Sequence, residues 1–110
     1  MDEPIIYLDI LKEELSGEHT YLIVKEFFKE IQLCIEEVIE GILTDDLSKV
    51  RENLKTIQVI SATMYAPFVA EFALLCESYA EQGREGCLKE TFVLLFKQIT
   101  LLKKECYEKL

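Results

Sequence analysis

Leu47-Ser48-Lys49-Val50-Arg51-Glu52-Asn53-Leu54-Lys55-Thr56-Ile57-Gln58-Val59-Ile60-Ser61-Ala62-Thr63-Met64 is the stretch on which the fold turns. Leu47, Val50, Leu54, Ile57, Ser61 and Met64 recur at steps of three and four. That is the period of a helix with one buried seam, and Ser61 is its small polar member. Thr44-Asp45-Asp46 ahead of the run offers side-chain oxygens to cap its first turn. Ala66-Pro67 behind it breaks the helix and starts another.

The same period extends in both directions. From about residue 18 to 43, Val24, Phe27, Phe28, Ile31, Cys34, Ile35, Val38 and Ile42 form one apolar face, and Gly41 is expected to mark the stop. After Pro67, Phe68, Phe72, Leu75, Cys76 and Tyr79 are expected to line the buried side as far as a turn at residues 83–86. Leu88, Phe92, Leu95, Ile99, Leu102 and Cys106 follow as the last seam. A shorter piece, from about Pro4 to Ser16, carries a narrow stripe of Ile5, Leu8 and Leu11 before Gly17. No segment alternates with period two between turn signals, so strands are not expected. Four long amphipathic pieces joined by short turns pack best as antiparallel neighbours. The expectation is one all-α domain over residues 1–110, an up-down four-helix bundle with a short N-terminal helix covering one end.

At 110 residues, half of them hydrophobic, the chain can bury one core and not two. Its net charge is −9, from 21 acidic and 12 basic residues. That field repels a phosphate backbone and an anionic bilayer, so neither nucleic acid nor membrane is an expected partner. The opening Met1-Asp2-Glu3-Pro4 lacks the basic region of a secretion signal, which points to the cytoplasm. Cys34, Cys76, Cys87 and Cys106 make no C-x-x-C pair. Three of them fall on apolar stripes and are expected as buried thiols in a reducing compartment.

Reactive constellations are scarce. The one histidine, His19, stands at a helix start, and a Cys nucleophile would need folding to bring His19 to it. Glu13-Glu14, Glu36-Glu37-x-x-Glu40 and Asp45-Asp46 lack the Glu-x-x-His pairs of a di-iron bundle, and no Gly-rich phosphate loop is present. No catalytic residue, metal ligand or cofactor is expected. The outer side of the 47–64 helix is more informative. At about 100° per residue, Lys55 lies roughly 120° from the middle of the seam. Arg51, Lys55, Gln58, Val59 and Ala62 therefore form an outward strip, and Val59 with Ala62 and Tyr65 offers a small apolar patch with a polar rim, a candidate partner-binding surface.

At this stretch the chain resembles the histidine phosphotransfer (HPt) domain. That family carries His-x-Leu-Lys-Gly-Ser-Ser on a central helix, then Gly-Ala and another helix. The matching run here is Lys55-Thr56-Ile57-Gln58-Val59-Ile60-Ser61, continuing in frame to Cys76-Glu77, where the family often has Leu-Glu. The likeness extends over about residues 18–109, the polar turn Gln82-Gly83-Arg84-Glu85-Gly86 included. It places Lys55 at the phosphoacceptor position, Gln58 where a lysine helps hold the phosphoryl group, and Val59 where a glycine leaves room. A protonated lysine amine has no lone pair for attack. Loss of the cation at 58 removes charge stabilisation, and Val59 crowds the approach. The resemblance thus implies the HPt shape without its chemistry: a phosphorelay signalling domain that docks the receiver domain of a response regulator, or another protein, without passing phosphate. Two other readings stay open. One is phosphotransfer through His19. The other is an adaptor or dimerisation bundle outside phosphorelay, in which Val93, Leu94 and Leu101, lying outside the last seam, pack inside the bundle or face a second copy.

Overall fold

The computed structural model describes residues 17–109, with Ile10 and Glu13 ahead of them. The leading helix expected over residues 4–16 lies outside the described residues. Helices α1 (Gly17–Leu43), α2 (Leu47–Thr63), α3 (Pro67–Glu81) and α4 (Glu85–Lys109) follow one another, and no strand occurs among the described residues. The result is an all-helical bundle in which each helix packs on the next in sequence.

The three connecting turns share one geometry. After α1, α2 and α3 the backbone enters the left-handed region at Asp45 (φ 55°), Tyr65 (φ 56°) and Gly83 (φ 70°). The amide of the following residue then reaches back five residues: Asp46 to Gly41 O at 2.8 Å, Ala66 to Ser61 O at 2.9 Å, Arg84 to Tyr79 O at 3.0 Å. These are Schellman closures, which satisfy carbonyls the helix end leaves unpaired. Only Gly83 adopts that φ without steric cost. Asp46 caps α2 as expected, its carboxylate accepting from Lys49 N at 3.1 Å. Pro67 stands in the first turn of α3, where its missing N–H costs nothing.

The expected faces of α1 and α4 are those that bury. Val24, Phe27, Phe28, Ile31, Cys34, Ile35 and Val38 enter the core from α1, with Ile42 half-buried. Leu88, Leu95, Leu102 and Cys106 enter it from α4, with Phe92 and Ile99 at its edge and Thr91 buried beside them. In α2 the seam is Val50, Leu54, Ile57, Ser61 and Met64, while Leu47 is exposed.

Two expectations are corrected. The buried line of α3 is Val69, Ala73, Cys76 and Ala80, not Phe68, Phe72, Leu75 and Tyr79; only Cys76 is common to both. The helix is turned by roughly 90° from the side bearing its largest residues, at about 100° per residue. Its small side chains admit close packing, Phe68, Phe72 and Tyr79 are half-buried at the margin, and Leu75 is exposed. Gly41 does not stop α1, which runs on to Leu43. A Cβ at position 41 would stand 2.7 Å from Val50 Cγ2 and 3.1 Å from Asp46 O, so this glycine lets α2 cross close to the end of α1.

Candidate functional site

The outward strip is built on α2 because its seam commits the opposite side to the core. Val50, Leu54, Ile57 and Ser61 point inward, so Lys55, Val59 and Ala62 face solvent. Val59 is 63% exposed, unusual for a β-branched side chain on a helix whose inner side is closely packed. The strip is not uniform. Arg51 and Gln58 are half-buried, and Tyr65 packs against the core instead of extending the apolar patch.

Charge on this face is organised by Glu77 of α3, a partner that the spacing within α2 does not reveal. Its side chain is only 9% exposed. Arg51 Nε donates to Glu77 Oε1 at 3.0 Å, and Arg51 Nη2 lies 3.9 Å from Glu81. Lys55 Nζ lies 3.8 Å from the same Glu77 oxygen while keeping 59% of its side chain exposed. A nearly buried carboxylate needs such partners to offset its lost hydration. Arg51 is therefore tied into the α2–α3 contact, and Lys55 is a solvent-facing cation with an anchored counter-charge. Leu74, also on α3, is exposed as well.

His19 is exposed at the start of α1, whereas Cys34, Cys76 and Cys106 are buried and Cys87 is half-buried. Burial pushes the Cys76 thiol up to about 12 and the Cys106 thiol up to about 11. Burial, then Glu30 and Glu37, raise Cys34. Thiols held protonated in this way are poor nucleophiles and poor metal ligands. Among the described residues no group of three or more His, Cys, Asp and Glu side chains is placed to hold a metal ion. Nor is any described helix long and apolar enough to cross a membrane. A cavity of about 240 Å³ lies where the end of α1, the start of α2 and the α3–α4 turn meet, near Gly41, Tyr79, Gly83 and Arg84. Arg84 sits over the Tyr79 ring at 5.2 Å from its centroid, which accounts for that cation.

Elsewhere Val93, Leu94 and Leu101 are exposed, neither buried in the core nor covered by a described element. Ile39 and Leu43 of α1 border a shallow groove with Phe92 and Val93 of α4. At its other end α4 meets α1 through Tyr107, whose ring packs on Phe28 at 5.9 Å and on Tyr21 at 6.3 Å.

No known family model, no characterised protein and no solved structure matches this chain.

Proposed function

We propose that this chain is an HPt-like signalling domain, an antiparallel up-down bundle that docks a receiver domain through the α2–α3 face and passes no phosphoryl group. The observation that carries the reading is the outer face of α2. An exposed aliphatic residue, Val59, and an anchored cation, Lys55, stand where the resembled family presents its phosphoacceptor and its docking surface. Receiver domains present an acidic phosphorylation pocket, and a fixed positive charge set beside a few apolar contacts suits it. In an antiparallel register that pairs Lys55 with Glu77 and Arg51 with Glu81, Gln58 falls opposite Leu74 and Ala62 opposite Ala70. Val59, Ala62 and Leu74 then give a small apolar centre beside the charged end, the apolar-core and polar-rim layout of a protein interface. The domain acts by occupancy, as a non-catalytic binding protein.

Calorimetric titration with receiver domains, phosphorylated and not, while following phosphoryl label, tests this directly. The expected result is binding without label transfer, weakened at least about tenfold by Val59→Glu with the helical signal unchanged. Unaltered binding by that variant refutes the assigned face. Label on His19 refutes the occupancy mechanism.

The adaptor or dimerisation reading rests on a different observation, the exposed Ile39, Leu43 and Val93 between α1 and α4. A monomeric mass in sedimentation at high concentration counts against its dimeric form.

A further inference from the structure

The α1–α2 side of the bundle carries a groove of about 370 Å³ that no described element fills. Buried Phe27 and Met64, with half-buried Ile60, make its floor. Leu22 and Ile23 flank it from the first turns of α1 and are both exposed. Glu26 and Glu30 stand on its rim, both exposed.

The two carboxylates distinguish this groove from an incidental apolar surface. They sit one helical turn apart on α1, a like-charge pair that destabilises a helix. Among the described residues neither takes part in an ion pair, although Lys25 and Lys29 lie on the same helix. Farther along α1, Glu37 and Glu40 are by contrast gripped by Lys49 at 3.0 and 3.1 Å. Among the described residues, the acidic edge of α1 is thus compensated beyond the groove and left uncompensated beside the apolar floor.

We infer that the groove takes a basic amphipathic helix from a partner protein. Its apolar side chains, spaced i, i+3 or i+4 and i+7, seat on Phe27, Ile60 and Met64, and its lysines or arginines meet Glu26 and Glu30. The groove extends along α1 for about 12 Å at 1.5 Å per residue, enough for roughly two turns of such a helix. A net charge of −9 steers a cationic segment toward it and disfavours a second copy of the chain as occupant. It equally disfavours the chain's own first sixteen residues, where Asp2, Glu3, Asp9, Glu13 and Glu14 face a single cation, Lys12. The inference does not rest on receiver docking, because Ile60 and Val59 are successive residues and point about 100° apart around α2.

The test uses the full chain and three fluorescein-labelled model helices. One has leucines at the helical spacing and lysine flanks, one replaces each lysine by glutamate, and one keeps the lysines and scrambles the leucines. Fluorescence anisotropy is expected to show the first bound at least about tenfold more tightly than the other two. Leu22→Ser combined with Ile23→Ser, at exposed positions that leave the core intact, is expected to weaken it about tenfold, with helicity checked by circular dichroism. Glu26→Gln combined with Glu30→Gln is expected to weaken it and flatten its salt dependence. Val59→Glu is expected to leave it unchanged. Equal binding of the scrambled helix, full binding by the Leu22/Ile23 variant, or loss with Val59→Glu overturns the proposal. So does a dimer that the Leu22/Ile23 variant dissociates, since it assigns the groove to a second copy.

Discussion

Gly41→Ala puts the close approach of α2 to the end of α1 to a quantitative test. In the last turn of a helix, glycine to alanine ordinarily stabilises, by up to about 1 kcal/mol at an interior position and less near an end. Here the added Cβ meets Val50 Cγ2 at 2.7 Å, Asp46 O at 3.1 Å and Val50 N at 3.2 Å. Carbon atoms pack at about 3.5–4.0 Å, so the side-chain contact alone is short by about 1 Å. Val50 is 1% exposed but lines the cavity at this end of the bundle, so its side chain can relieve part of the clash by turning. Even if its side chain turns away, two of the three contacts are to backbone. Moving that backbone disturbs the Asp46 N–Gly41 O bond and the cap that Asp46 places on Lys49 N. Overpacking of this kind costs about 1–3 kcal/mol, which outweighs the gain in propensity. The expected outcome is a net loss of about 1–2 kcal/mol, read as a lower urea midpoint with unchanged slope, or a fall in Tm of about 5–12 °C. Val50→Ala removes the clashing methyl groups, so the double variant is expected to be less destabilised than the sum of the singles by at least about 1 kcal/mol. A Gly41→Ala protein as stable as the parent, or additive single effects, refutes the close-crossing argument.

Four further outcomes are expected. Ser61 Oγ is buried without a hydrogen-bond partner among the described residues, so Ser61→Ala removes an unsatisfied hydroxyl and gains helix propensity; thermal melts are expected to rise by the equivalent of about 1 kcal/mol. Burial holds the Cys76 thiol protonated up to about 12 against an ordinary value of 9.0. The unfolded chain therefore releases its thiol protons first, and stability in alkaline urea titrations is expected to hold below pH 9.0 and fall as pH rises toward about 12. Native alkylation near neutral pH is expected to mark half-buried Cys87 well before the three buried thiols. Finally, combining Lys55→His, Gln58→Lys and Val59→Gly supplies the nucleophile, cation and space that the HPt resemblance requires. This variant is expected to take label from a phosphorylated receiver while the parent does not, at a helix cost of about 1 kcal/mol for the glycine.

The helices were legible wherever large apolar residues recur on a single side. In α1 and α4, Phe27, Ile31, Leu95 and Leu102 lie on the line that recurs at steps of three and four, and that line is buried, while Leu33, Leu94 and Leu101 lie off it and are exposed. The α3 sequence is apolar on two sides, and periodicity alone favours the bulkier one; the crossing against α2 favours the smaller. Gly83 announces its turn, whereas Asp45 and Tyr65 carry the same left-handed backbone without glycine, and no local rule singles out a tyrosine for it. Gly41 reads as punctuation because the reason for it lies on another helix, in Val50. At the candidate site, the exposure of Lys55, Val59 and Ala62 follows from the phase of the α2 seam. The half-burial of Arg51 does not, since Glu77 is 26 residues away in sequence. The α1–α2 groove was equally hidden: Leu22, Ile23, Glu26 and Glu30 read as an ordinary helix edge until Ile60 and Met64 are set beside them.

Helix α2 therefore supports two surfaces with one buried line. Leu54 and Ile57 are fully buried and Ser61 lies level with them, so the helix has little freedom to roll. Rolling one way would bury Val59 and expose the seam; rolling the other would lift Lys55 away from Glu77. Because the helix is fixed in this phase, the α3-facing flank presents a cation and the α1-facing flank adjoins two carboxylates, Glu26 and Glu30, that form no ion pair among the described residues. On the two proposals above, the flanks select partners of opposite charge. An acidic pocket suits Lys55 and is repelled by Glu26 and Glu30, while a basic helix suits Glu26 and Glu30 and is repelled by Lys55. That opposition keeps the two candidate surfaces separable by experiment. Raising the salt concentration should weaken both, but a charge reversal at one flank should weaken its own partner and leave the other bound. If either substitution disturbed both partners, α2 would have to move as a unit, and the packed seam that defines both faces would be the wrong description of it.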